Sequence, residues 1–153
     1  MNLPERFDLT YVNSNAEKVR PVMLHRVIFG SIERFIGILI EHFAGQFPTW
    51  MAPVQINLLP VAEVHNEHAY KLKELFASKG FRVEVDDQNE KIGYRLRLSS
   101  LNKIPYTLVI GDKEVENNTV TYRVIGNQAQ TTVSVEEFIE LVTNEVNSKS
   151  LRK

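Results

Sequence analysis

Arg34 stands in the first turn of a strongly apolar stretch, in "FGSIERFIGILIEHFAG", directly after Gly30, Ser31, Ile32 and Glu33. A cation is disfavoured at a helix N-terminus. Glu33 is a poor partner for it, because adjacent helix positions do not face each other. A ligand is the better reason for the residue, since a planar guanidinium stacks on a base or holds a phosphate. A second candidate is "GDKE", 111–114, which ends an apolar run. Ligands gather at such strand ends in open α/β sheets, although the same four residues also suit a plain turn. A third is the run from 91 to 111, with Lys91, Arg95, Arg97 and Lys103 and no acid. It reads as a solvated helix face or as a patch facing phosphates. His25 lies alone among apolar residues. A metal needs three or four ligands, and no partner stands at metal spacing, so the residue itself reads as a core histidine. There is no nucleophile elbow, no glycine-rich phosphate loop and no His pair at metal spacing.

These residues need elements to hold them. Phe7, Leu9 and Tyr11 alternate with polar residues as a half-buried strand does. "PVMLHRVIF", 21–29, is apolar enough for a central strand, with Pro21 tolerated at its start. Ser31 to Ala44 is apolar nearly all round, which predicts a buried helix. Two strands and one such helix cannot cover each other, so residues 1–51 read as the end of a larger domain. "GQFPTWMAP", 45–53, supplies a helix-capping Gly45 and the breakers Pro48 and Pro53. The boundary is therefore placed between 51 and 52.

Residues 52–153 alternate strand and helix. Strands are expected at 54–61, 81–85, 105–111 and 119–126. Helices are expected at 65–79, 90–103 and 133–146, the last with Ser134 and Glu137 as a capping box. "YRLRL" also alternates like a strand. The helix is preferred because a crossover belongs between two parallel strands. The fold class is α/β, a mixed sheet flanked by helices.

Of the 153 residues, 43% are hydrophobic and 24% charged, with a net charge of −1 and no cysteine. The near-neutral charge argues against a protein that grips nucleic acid by bulk electrostatics. Missing cysteines exclude disulfides and thiolate zinc sites and fit a cytoplasmic protein. The longest apolar run, 35–40, is too short to span a bilayer, and no signal peptide is expected.

"RPVMLHRVIFGSIERFIGILIEHFAGQFPTWMAPVQ" closely resembles the third signature motif of class II aminoacyl-tRNA synthetases of the threonyl family. "NEKIGY", "IPYTLVIGDKEVE" and "VSVEEFI" resemble the anticodon-binding domain that follows it. The resemblance covers essentially the whole chain. It implies that Arg34 is a catalytic arginine holding ATP, with Gly30 and Ser31 lining the same pocket, and that the helix is apolar because it backs an antiparallel catalytic sheet. It implies that His25 is one zinc ligand of the whole enzyme, whose other ligands precede Met1. It further implies anticodon contacts by Asn89, Lys103, Glu114 and Arg123, while Lys91, Arg95 and Arg97 face phosphates. Lys103 stands where the family shows arginine, which keeps the charge and loses the bidentate fork. Leu98 stands where glutamate is usual, and "NSNAEK", 13–18, replaces an Asp-Gly turn.

The expected function follows from that resemblance. The chain is the C-terminal portion of an enzyme that joins threonine to its tRNA with ATP, magnesium and zinc, and it recognises the anticodon loop. Motifs 1 and 2 are missing, so the chain alone is expected to be inactive and to hold none of these cofactors tightly. The whole enzyme is expected to be a homodimer, with no DNA or membrane partner. The rival reading is a stand-alone RNA-binding accessory protein that uses the same domain without aminoacylation.

Overall fold

The computed structural model describes residues 2–151. They form two compact units, divided between Ile38 and Leu39. Helix α2, Ile32–Phe43, spans the division.

The first unit holds the short helix α1, Leu3–Arg6, and an antiparallel ladder of β1, Tyr11–Val12, with β2, Lys18–Val19. Asn13 closes that hairpin by accepting from the Asn15 and Glu17 amides through its side-chain oxygen. Arg20 ties the hairpin back by donating to the Pro4 carbonyl and pairing with Asp8, both at 3.2 Å. Three expectations fail here. The strand expected from Phe7 onward begins only at Tyr11, because residues 3–6 take a helical turn with Pro4 in its first positions. Residues 21–29 form no strand. A strand exists by its ladder, and no described residue offers these one. Helix α2 forms as expected but contains no buried residue; Ile32, Ile36, Ile38 and Ile40 are all exposed.

The second unit is a five-stranded mixed sheet, as expected. Its strands are β3, Ile56–Pro60; β4, Val83–Val85; β5, Tyr106–Ile110; β6, Thr119–Val124; and β7, Thr131–Ser134. The order is β4-β3-β5-β6-β7. Strand β3 runs parallel to β4 and β5, while β6 is antiparallel to β5 and to β7. All five residues of β3 are buried, the pattern of a central parallel strand covered on both faces. One face packs against helix α3, Asn66–Ser78, and helix α6, Val135–Ser148. Ala69, Leu72 and Phe76 recur at helix spacing and meet Ile56, Leu58, Tyr106, Leu108, Val120, Val135, Phe138 and Val142. Phe138 lies 5.3–5.7 Å, centroid to centroid, from the rings of Phe76, Tyr106 and Tyr122. The expected capping box starts α6: the Glu137 amide donates to Ser134 Oγ at 3.2 Å, and Glu137 accepts from the Ser134 amide at 3.1 Å.

The opposite face carries helix α4, Ile92–Leu101, whose buried residues are Arg95 and Ser99. Ser99 Oγ lies 2.7 Å from Thr107 Oγ1 on β5. "GDKE" is not a turn: it opens the short helix α5, Asp112–Asn117, closed by Asn118 in the left-handed conformation (φ 51°). Strand β7 had no expectation.

The compact division falls within α2, and the proline-rich segment 45–53 goes with the second unit. A set of polar bonds holds 45–55 to the sheet and α6. Thr49 donates to Glu145 of α6 at 2.7 Å, Gln55 donates to the Thr49 carbonyl at 2.9 Å, and Arg82 donates to the Ala52 and Trp50 carbonyls at 2.8 and 3.1 Å. Phe138→Ala should destabilise the chain by about 3–5 kcal/mol through the cavity it leaves. Ile36→Ser, at an exposed position, should stay within about 0.5 kcal/mol. Urea titration of both variants checks the contrast.

Candidate nucleic-acid interface

Alternation along β6 sorts its side chains. Val120, Tyr122 and Val124 point into the core, so Thr121 and Arg123 point to the α4 face. Helix α4 covers β3 and β5 on that face and leaves an open cleft of about 640 Å³ beside β6. Gly93, Leu96, Arg97 and Ser100 form its helical wall, Thr107 and Arg123 its floor, and 124–128 its far wall. Arg97 and Arg123 thus bring two guanidinium groups to one cleft. Arg97, expected to face phosphates, is exposed and lines the same cleft as Arg123, one helical turn beyond Gly93 on the same wall.

Glu114 sits on the same sheet face. Its carboxylate accepts from Thr121 Oγ1 at 2.7 Å and from the Gly111 amide at 3.0 Å. Thr121 precedes Arg123 by two strand positions, so Glu114 is moored roughly 7 Å along the strand from Arg123. The Gln130 amide, oriented as its neighbours' donors and acceptors require, presents its oxygen to Arg123 Nε at 3.1 Å and Nη2 at 2.8 Å. The arginine fork therefore already meets a planar carbonyl group. Thr132 Oγ1 lies 2.8 Å from Thr121 Oγ1. Gln130 and Thr132 were missed from the sequence. The signal was the polar stretch "GNQAQTT", legible only once β7 is seen to pair Thr131 with Tyr122.

Asn89 lies at the other end of α4, exposed in the loop 86–91 that leads into the helix from the carboxyl side of β4. It borders a small cavity of about 60 Å³ together with Pro60, Asn66, Glu90 and Arg95. Lys91 is exposed immediately before α4. Arg95 does not face phosphates. Its side chain is 4% exposed, Nη1 donates to the Pro60 carbonyl at 2.8 Å, and Nε lies 3.3 Å from Asp86 Oδ1. Helix periodicity turns position 95 to the sheet while 91, 94 and 97 stay outside. Lys103 sits beyond the far end of α4 in the left-handed conformation (φ 59°), with its side chain beside Gly45. The structure does not bring it together with Asn89.

In the first unit, Gly30, Ser31 and Arg34 are exposed. Ser31 Oγ donates to Glu33 at 2.7 Å and accepts from the Arg34 amide at 3.3 Å, so it caps α2. Glu33 is thereby explained as a capping partner, and its carboxyl is held below the usual value mainly by the Ser31 hydroxyl. His25 is exposed, not a core histidine. Among the described residues no group of three or more His, Cys, Asp or Glu could hold a metal.

Burial would push the Glu114 carboxyl up, but the Thr121 hydroxyl and the Gly111 amide outweigh it and leave the group below its ordinary value. A depressed folded-state value contributes stability above the unfolded value of about 4.3, and that contribution is lost as pH falls through the folded value. Glu114→Gln should remove this share of the acid dependence, flattening the melting temperature against pH below about pH 4.5. An unchanged profile would mean that the carboxylate is not bonded as described.

Residues 52–145 match the family model described as "Anticodon binding domain", and residues 1–43 match "tRNA synthetase class II core domain (G, H, P, S and T)". A threonine–tRNA ligase of Caldanaerobacter subterraneus is 53% identical over 149 residues, covering 97% of this chain and 23% of that protein. One from Clostridium tetani is 51% identical over 147 residues, covering 96% and 23%. The chain thus spans about a quarter of the length of these relatives. Among solved structures, the RNA binding domain of threonyl-tRNA synthetase from Cryptosporidium parvum Iowa II aligns with a TM-score of 0.72 and 32% identity, covering 94% of this chain and 36% of that one. The open cleft beside β6 lies within the residues that match the first of these models: the chain belongs to the anticodon-binding domain family, joined to a piece of a class II tRNA synthetase core, and its curated relatives are threonine–tRNA ligases.

Proposed function

We propose that this chain is the anticodon-reading end of a threonine–tRNA ligase and that the cleft beside β6 receives bases of the threonine-tRNA anticodon loop. The observation that carries the reading is the convergence of Arg97, Arg123 and Glu114 on one face left open by α4. Anticodon bases are unstacked, so their edges are available to donors and acceptors. Arg123 offers a fork whose fit to a carbonyl is already seen with Gln130. Glu114, held ionised by its bonds, offers acceptor lone pairs for base amino groups. Asn89 offers both kinds, at the opposite end of α4. Exposed Lys91 meets backbone phosphate. Few charges are needed for this, which agrees with the net charge of −1.

The activity of the whole enzyme belongs to the same proposal. It joins threonine to tRNA in the cytoplasm as a homodimer and uses ATP, magnesium and zinc. Arg34, with Gly30 and Ser31, would face ATP once the rest of the core surrounds α2, and His25 would need zinc ligands from outside this chain. The exposed apolar face of α2 suits packing against that core. Among the described residues no helix is long and apolar enough to cross a membrane.

Titration of matched and mismatched anticodon stem-loops at two salt concentrations tests the reading. Arg123→Ala should cost discrimination on the order of 1–3 kcal/mol. Lys91→Ala should weaken all loops about equally and reduce the salt slope by about 1. Equal weakening of every loop by Arg123→Ala would make its role electrostatic only. The 153-residue chain alone should show no threonine-dependent pyrophosphate exchange. Measurable exchange would place a complete catalytic site within it.

A further inference from the structure

Arg95 is the only arginine of α4 turned inward, and the functional reading above does not use it. Its polar partners lie on one loop and one strand end. Nη1 donates to the carbonyl of Pro60, the last residue of β3. Nε faces Asp86 Oδ1 at 3.3 Å, and Asp86 is itself 13% exposed. The same Asp86 oxygen accepts from the Gln88 amide at 3.2 Å, and the Asp86 amide donates to the Leu58 carbonyl at 2.9 Å. The Glu90 amide in turn donates to the Gln88 carbonyl at 2.8 Å. Tyr70 of α3 adds a bond to Asp87 at 2.9 Å. A chain of contacts thus runs from Arg95 through Asp86 and Gln88 into the residues on either side of Asn89, while Asn89 stays exposed.

The quality of the pair matters. Arg95 Nε and Nη2 have no aligned hydrogen-bond acceptor among the described residues, and both are shut off from solvent. A buried pair with such geometry contributes little net stability, and apolar replacements of similar volume often do as well or better. What the pair supplies is position: it holds the end of β3, the loop 86–91 and the first turn of α4 in one arrangement. Loops that carry recognition residues depend on such fixing by a rigid scaffold.

We propose that Arg95 is a positioning residue, which fixes the 86–91 loop through Asp86 and so sets the base discrimination delivered by Asn89. The proposal rests on the anticodon reading for its functional half and on the loop geometry for its structural half. The two halves are measured separately in the full chain. Arg95→Met and the double variant Arg95→Met/Asp86→Leu, which leaves no lone buried carboxylate, are compared with the unsubstituted chain by amide hydrogen exchange. The Gln88 amide should exchange at least about tenfold faster in both, with β6 amides unchanged. The same proteins are titrated with a threonine-tRNA anticodon stem-loop and with loops altered one base at a time. The matched-to-mismatched affinity ratio should fall about tenfold at the base that Asn89→Ala also affects, an amount set by one base contact. The salt slope should not change, and adding Arg95→Met to Asn89→Ala should lower the ratio no further. Unchanged Gln88 exchange overturns the proposal, and so does faster exchange with the ratio intact. Uniform weakening of all loops with a flatter salt dependence also overturns it, by making Arg95 a phosphate contact. If the unsubstituted chain distinguishes no loops, the anticodon reading is what fails, and Gln88 exchange alone decides whether Arg95 fixes the loop.

Discussion

The alternation of side chains along β5 and β6 is the constraint on which the rest of the second unit depends. Tyr106, Leu108 and Ile110, with Val120, Tyr122 and Val124, form one continuous apolar surface under α3 and α6. Their neighbours Thr107, Thr121 and Arg123 are thereby committed to the other face. A slip of one residue in the β5–β6 register, where Thr107 opposes Arg123, would bury the arginine and expose the tyrosine. The apolar face thus selects the register, and the register delivers the polar residues to the cleft. The proposed site in this unit is the reverse side of its core.

Polar groups inside the unit are used to fix position. Thr49, Gln55 and Arg82 hold the segment before β3, each through bonds to backbone or to Glu145. Glu145 also accepts from the Tyr106 hydroxyl, so the aromatic that faces Phe138 is oriented from its polar end. Buried His65 accepts from the Ala62 amide at 3.2 Å and lies 2.9 Å from Asp112, the first residue of α5. The His65–Asp112 contact lies past the carboxyl ends of β3 and β5, where helix α5, which carries Glu114, begins. The first unit contrasts with this. Its hairpin is tied by the Arg20–Asp8 pair and by the bond of Asn13 to Glu17, and most of its large apolar side chains are exposed.

The alternating elements of 52–153 were legible because each carries its own local signal. The Ser134–Glu137 box, the stripe Ala69–Leu72–Phe76 and the apolar run of β3 each announce one element without reference to the others. Helix α4 was decided by topology, since "YRLRL" alternates like a strand, and the crossover argument held. What the sequence could not convey was anything that depends on a partner. Residues 21–29 are apolar enough for a strand, yet an apolar run with no ladder stays irregular. The burial expected of α2 and His25 failed for the same reason. Within the site, Arg95 and Arg97 have the same residue type two positions apart, and only the helix phase separates a buried anchor from a cleft residue. Strand β7, and with it Gln130, escaped because "TTVS" has too little apolar pattern to announce a strand.

The central claim is that RNA is read on the α4 face of the sheet beside β6. Backbone amide chemical shifts of the chain, followed while a threonine-tRNA anticodon stem-loop is added, test it most directly. The account predicts that the largest changes fall on Gly93, Arg97, Thr121, Arg123 and the 124–128 turn, with a second group at 88–91 and none on the outer surfaces of α3 and α6. Changes centred on those outer surfaces, or on residues 22–40, with the β6 cleft silent, would contradict it.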